Sequence, residues 1–466
     1  MEEDMYIRII SLTLCLIFCF AARSFGGDIE SRLKALEETL RIQGETIKEQ
    51  QQVIRQLKSE LDTTKKEATA QAGPAKSEEK ASADKSQETK PPSEEKGWKF
   101  TGLFGGSNLA NPNISLVLDT FGYHSNLRQE DLPKRGIPGY TNSGLTNRKG
   151  FNIDSAELGF YAPVDPYFNL YATIPISEDG VELEEVYFVT TSLPYGFQIK
   201  GGKFKSGFGR LNGQHKHVWD FADLPLPYRA FIAGEGITEK GIQLTYLPPL
   251  PFYTLFGVEV LQGENALLFG KDARSGPHAF TAFVKTSLDI GDNSTLLFGP
   301  SVITGSTRTD MIADNTLFHG TSTLYDWEMT YKWKPSKNQS FTFQSEYMYR
   351  DQKGDLTDYG TGLTNQLKRG QDGVYVQGLY QLGLWRLGAR FDILDLITKK
   401  YALDGTQTNF GERPWRATAA LDFNPSEFTR LRLQYNYDRS ARVGKTNNEV
   451  FLQAIFAIGA HGAHAF

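Results

Sequence analysis

The segment TRLRLQYNYD (Thr429–Asp438) alternates residue by residue. Leu431, Leu433, Tyr435 and Tyr437 fall on one side, Arg430, Arg432, Gln434 and Asn436 on the other. A period of two belongs to a strand with two unlike faces, because successive side chains point to opposite sides of the pleat. LYDWEMTYKWK (Leu324–Lys334) repeats the pattern, with Tyr325, Trp327, Met329, Tyr331 and Trp333 opposed to Asp326, Glu328, Thr330 and Lys332. QSFTFQSEYMYR and WRLGARFDIL do the same, and no stretch beyond Trp98 has a helical period. About sixteen alternating segments follow, beginning near Ile114, Phe151, Tyr167, Glu182, Phe197, Lys240, Phe252, His278, Ser294, Thr323, Ser340, Gly373, Trp385, Pro414, Thr429 and Glu449.

The connections alternate too. APVDPY, SLPYGF, PPLP, DIGDN, KPSKNQ, LGLW and NPSEF are turn-like, while SNLRQEDLPKRGIPGYTNSGLTNRKG and RDQKGDLTDYGTGLTNQLKRGQDG are long. A soluble sandwich has no need of that asymmetry; a transmembrane barrel has tight periplasmic turns on one rim and long loops on the other. Closure also pairs every backbone group inside the bilayer. The negative mean hydropathy fits, since only alternate strand residues meet lipid. The fold expected over residues 97–466 is all-β: an antiparallel transmembrane β-barrel of about sixteen strands, preceded by a short α-helical coiled coil.

Ahead of the barrel, Tyr6–Ala22 is an apolar run behind Arg8, with Ser24 and Gly26 placed for cleavage near Gly26–Gly27. This reads as a secretory signal peptide over residues 1–26. Cys15 and Cys19 both lie within it, so the mature chain carries no thiol chemistry. In residues 28–61, Leu33, Leu40, Ile47, Ile54 and Leu61 form one row of a heptad seam, and Ile29, Leu36, Gln43, Gln50 and Leu57 the other. That is a coiled-coil oligomerisation segment, a rod of about 50 Å. Residues 62–96 lack aromatics and read as a disordered linker. The chain ends EVFLQAIFAIGAHGAHAF, a closing strand and then Phe466, which resembles the terminal aromatic signal read by the barrel-assembly machinery. His461 and His464 read as a polar tail rather than a metal site.

The third long connection, GGKFKSGFGRLNGQHKHVWDFADLPLPYRAF and onward to Glu239, packs cations between glycines and aromatics. Connections of that length inside a compact fold are usually functional. A phosphate-binding P-loop is excluded, because GxxxxGK[ST] is absent. His215 and His217 flank a lysine and by themselves make an incomplete metal site. The near-balanced net charge of −5 and a single basic loop argue against nucleic acid as a partner.

GKFKSGFGRLNG (Gly202–Gly213), followed by GEGITEKGIQLTYL (Gly234–Leu247), resembles the phosphate-selective porin (O/P) family. The resemblance spans roughly Trp98 to Phe466. It implies a sixteen-stranded homotrimer in outer-membrane lipid, no cofactor, and anions passing a constriction and a ladder of lumenal arginines. In porins the third loop folds into the barrel, which places Arg210, His215, Lys216, His217 and Arg229 at the constriction. The ladder is matched in type by Arg386, Arg390, Arg416, Arg430 and Arg432, which share the polar parity of neighbouring strands. Asp326, Glu328 and Glu346, with Lys332 and Arg350, lie on the same kind of face of two other strands, and a basic wall facing a more acidic one sets up a transverse field. Loop cations are also expected to anchor the loop through Glu235, Glu239 or lumenal carboxylates.

The expected function is passive diffusion of small hydrophilic solutes, with anion or phosphate preference the finer reading. The alternative is a structural barrel that tethers membrane to peptidoglycan through the periplasmic coiled coil. An enzyme would need a nucleophile beside a base, and none of the seven histidines lies beside a Ser/Asp set.

Overall fold

The computed structural model of the protein describes residues 112–141, 144, 147–233, 236–270, 275–307, 316–441, 444 and 446–459. The signal, coiled-coil and linker segments and Phe466 lie outside the described residues. Sixteen strands make one antiparallel sheet: β1 (Asn113–Ser125), β2 (Gly150–Asp165), β3 (Phe168–Ser177), β4 (Glu185–Thr190), β5 (Phe197–Lys205), β6 (Thr238–Tyr246), β7 (Tyr253–Leu261), β8 (Ala279–Asp289), β9 (Ser294–Thr307), β10 (Thr316–Ser336), β11 (Gln339–Asp358), β12 (Thr364–Leu382), β13 (Trp385–Leu403), β14 (Trp415–Ser426), β15 (Thr429–Asp438) and β16 (Asn447–Gly459). Two-residue stubs, Gly180–Val181 and Thr406–Gln407, extend the hairpins after β3 and β13. Each strand pairs with the next, and β1 pairs with β16 from Ser115↔Gly459 to Ser125↔Glu449, so the barrel is closed.

Alternation sets the two faces as the sequence leads one to expect. On β15, Leu433 and Tyr435 are 48% and 44% exposed, whereas Arg432, Gln434 and Asn436 between and beside them are fully buried toward the lumen. Tight turns close one rim: Asp165 accepts hydrogen bonds from the Tyr167 and Phe168 amides at 2.7 and 2.9 Å. Longer connections crown the other rim.

Two expectations need correction. Arg350–Gly373 is not a long loop: the β11–β12 ladder continues to Thr357↔Thr364, leaving only Tyr359–Leu363 as connection. Strands β10 to β13 run 21, 20, 19 and 19 residues, about twice what a bilayer requires. Beyond the lipid neither face need be apolar, so the alternating signal fades while the ladder persists. The loops also hold short helices, α1 (Leu226–Phe231) and α2 (Ala266–Phe269), too brief to leave a period in the sequence.

The lumen is part-filled. Phe204, Phe208, Leu211, Leu226, Tyr228 and Phe231 pack with Ile303, Leu324, Met348, Tyr375 and Leu394 of the barrel wall in one buried apolar cluster. Ile137 and Tyr140, from the connection after β1, join it, with the Tyr140 and Phe231 rings edge-on at 5.4 Å. Leu268 and Phe269 of α2, from the connection after β7, also belong to it, so not one but three connections pack inward.

Candidate pore constriction

The β5–β6 connection leaves the wall at Ser206, whose hydroxyl and the Gly207 amide both donate to Glu259 of β7. Gly209 takes φ +62°, a left-handed conformation that strains any residue with a Cβ. This turns the Arg210 and Leu211 amides onto Glu346, at 2.7 and 3.2 Å. The Tyr228 hydroxyl donates to the same carboxylate at 2.6 Å, and so does that of Tyr375. Asn212 closes the neck of the loop: its side chain donates to the Ser206 carbonyl at 2.9 Å and accepts from the Ile237 amide at 2.6 Å. Lys285 spans Glu328 and the Gly209 carbonyl, at 2.9 and 2.7 Å.

The loop then crosses the lumen. His215 meets three carboxylates of the opposite wall: Glu185 at 2.9 Å, Glu184 at 3.5 Å and Glu157 at 3.6 Å. Burial works against a charge on this imidazole, but the three carboxylates outweigh it and raise its pKa well above the usual histidine value. His217 lies 3.4 Å from Glu157, and Lys216 pairs with Asp154.

Further on, the polarity reverses. Asp220 accepts from Arg386 at 2.7 Å and from Gln377 at 3.0 Å. Asp223 accepts from Arg390, Arg416, Gln434 and Asn436, all within 2.9 Å. Burial opposes its ionisation, yet Arg416 and Arg390 hold its pKa down at about 2. The Trp219 carbonyl accepts from Arg430 at 3.1 Å and Arg432 at 3.0 Å, and the Arg390 guanidinium lies 4.7 Å from the Phe221 ring centre.

On the short-turn side of this strap lies a vestibule of about 2080 Å³. Gly209, Arg210, Gly213, Gln214, His215 and His217 line it from the loop, and Lys337, Gly383, Ser426 and Glu427 from the short-turn rim. Its lining carries the cations Lys200, Lys205, Arg210, Lys285, Lys332, Lys337, Arg386 and Arg430 against Glu157, Glu185 and Glu427, a marked basic excess.

The ten residues picked from sequence thus separate. Arg210, His215, His217, Arg386 and Arg430 line the vestibule. Lys216 is held by Asp154. Arg229 is turned aside, donating to the Arg135 carbonyl at 3.3 Å with Asp438 at 3.9 Å. Arg390, Arg416 and Arg432 are almost wholly buried in contacts with Asp223, Asp392 and Asp422. Glu239 anchors the following connection instead, accepting from the Gly263, Glu264 and Asn265 amides; Glu235 lies outside the described residues. Sequence reading passed over Asp220 and Asp223, although both stand in the quoted VWDFADLP beside an arginine-rich wall. It also passed over Glu157, Glu184 and Glu185, which sit on distant segments.

The class defined by these features is a closed sixteen-stranded antiparallel barrel with a connection strapped across its lumen. The chain belongs to the same family as an uncharacterized protein of Aquifex aeolicus (strain VF5), 41% identical over an alignment of 380 residues that covers 76% of this chain and 80% of that protein. No family model matches the chain. Among solved structures it is similar to the outer membrane channel DcaP of Acinetobacter baumannii, 14% identical over 75% of this chain and 96% of that one, TM-score 0.47. It is also similar to an anion-selective porin from Comamonas acidovorans, 10% identical over 75% and 99%, TM-score 0.46. Likenesses this distant bear on neither solute nor assembly, and the barrel stands on its own register.

Proposed function

We propose that the protein is an outer-membrane channel that admits small hydrophilic solutes and prefers anions. The observation that carries this reading is the basic vestibule within a closed barrel whose outer face is apolar. Cations around a confined aqueous space lower the cost of partly dehydrating an anion and raise its local concentration. Arg210 and Arg430 are the residues we assign to that task; Arg386, also on the lining, is held by Asp220 and Asp422. The rim of tight turns faces the periplasm, and both ends of the described barrel, Asn113 and Gly459, lie on it. The coiled coil read in residues 28–61 then stands in the periplasm and supports a homotrimer; Phe466 serves recognition by the assembly machinery.

A second reading is a barrel closed by its own loops, acting as a tether to peptidoglycan. The buried cluster of Phe208, Tyr228, Phe231 and Tyr140 inside the lumen favours it. Conductance of the purified protein in a planar bilayer separates the two. Steady channels support diffusion, whereas a silent, folded barrel supports the tether.

A further inference from the structure

Around His215 the ion-pair distances are of two kinds. Nε2 to Glu185 at 2.9 Å is a hydrogen bond, and Glu185 is itself held by the Lys205 amide at 2.7 Å. Nδ1, by contrast, stands 3.5 Å from Glu184 Oε2 and 3.6 Å from Glu157 Oε2, too long for an N–H···O bond. His217 Nδ1 lies 3.4 Å from that same Glu157 oxygen. A tetrahedral ion with bonds of about 2.1 Å separates its ligands by about 3.4 Å. The two nitrogen–oxygen separations therefore already match edges of such a polyhedron, and the three ligand atoms all lie within 4.8 Å of one another.

We infer that Glu157, Glu184 and His215 form a binding site for a divalent transition-metal ion, Zn²⁺ by ligand type, on the wall of the vestibule. Imidazole with carboxylate suits zinc, and three protein ligands leave one position open. That position is for water, a solute anion or His217. Glu185 is the positioning residue: its bond to Nε2–H commits the ring to presenting Nδ1, the arrangement that orients metal-bound histidines. Lys205 engages the other oxygen of Glu184, at 2.5 Å from Oε1, and leaves Oε2 to the ion. The ion displaces the proton on Nδ1 as it binds. Bound there, it ties the strap to β2 and to the β3–β4 connection and, with the proton released, adds one net positive charge to a cluster otherwise rich in carboxylates. The site is independent of whether the barrel conducts.

The test titrates the purified full-length protein in detergent with Zn²⁺ against a colour-forming chelator, and with Co²⁺ for its visible spectrum. One ion per chain and a tetrahedral cobalt spectrum are expected. His215→Ala abolishes both, and Glu185→Gln weakens binding roughly 10–100-fold. The pair His461→Ala and His464→Ala leaves binding unchanged. Heat-modifiable migration verifies folding; if His215→Ala fails to assemble, Glu157→Gln with Glu184→Gln gives the same reading. Failure of the wild type to retain an ion, or binding that survives His215→Ala, overturns the site.

Discussion

The acidic wall of β10 and β11 and the basic wall of β13 to β15 hold the same loop by opposite means. Glu346 grips it largely through main-chain amides, those of Arg210 and Leu211, with the Tyr228 hydroxyl beside them. The arginines grip it through the side chains of Asp220 and Asp223, with the Trp219, Asp223 and Leu224 carbonyls as further acceptors. A backbone clasp depends on shape, above all on Gly209, and tolerates exchange of most loop side chains. A carboxylate clasp depends on two particular residues and also consumes charge. Arg390 and Arg416 serve as loop anchors, and Arg386 is likewise tied to Asp220 and Asp422, so the positive field left for the vestibule comes chiefly from Arg210, Arg430 and the lysines around them.

Removing Asp223 breaks the carboxylate clasp most completely. Asp223→Ala takes the loop carboxylate from Arg390 and Arg416, each left with Asp392 and a loop carbonyl, and is expected to cost about 3 kcal/mol in a urea-unfolding series. Acid reaches the same contact. The folded pKa of Asp223, about 2, lies below its ordinary 3.8, so its contribution is present above pH 3.8 and lost as pH falls through about 2. The stability gap between wild type and Asp223→Ala should close over that window; a constant gap would show that the charge is not what holds the loop. On the opposite wall, Glu346→Ala leaves the Arg210 amide and two tyrosine hydroxyls without this acceptor, while the Leu211 amide keeps the Tyr228 oxygen at 3.1 Å. A loss of about 2 kcal/mol is expected, with faster proteolysis of the loop. Gly209→Ala must bring a Cβ within 2.7 Å of Tyr228 and Glu346 at positive φ, for about 1–2 kcal/mol in the same series. Arg210→Ala leaves the amide contacts in place and should change stability least, while moving the bilayer reversal potential toward cations.

Much of the barrel is legible in the sequence because lipid and lumen impose opposite demands on neighbouring residues. Every one of the sixteen segments, from Ile114 to Glu449, corresponds to a strand. The pattern weakens where that opposition ends, as in the upper halves of β11 and β12, where Lys353 and Lys368 face one another above the membrane. Loop contacts were harder to read because closure, not local spacing, decides them. His215 and Glu157 are 58 residues apart in number yet adjacent across the lumen, and Asp223 meets arginines from β13 and β14. Arginines counted on the polar parity could be placed on the inner face, but their partners could not be assigned before the loop was laid against them.

Reversal potential in a planar bilayer under a KCl gradient tests most directly whether the basic vestibule leads to a strapped, anion-preferring pore. Steady conductance is expected, with a potential displaced toward chloride and the displacement shrinking in Arg210→Ala. Conductance with a potassium preference, or a correctly folded barrel that passes no current, would contradict such a pore.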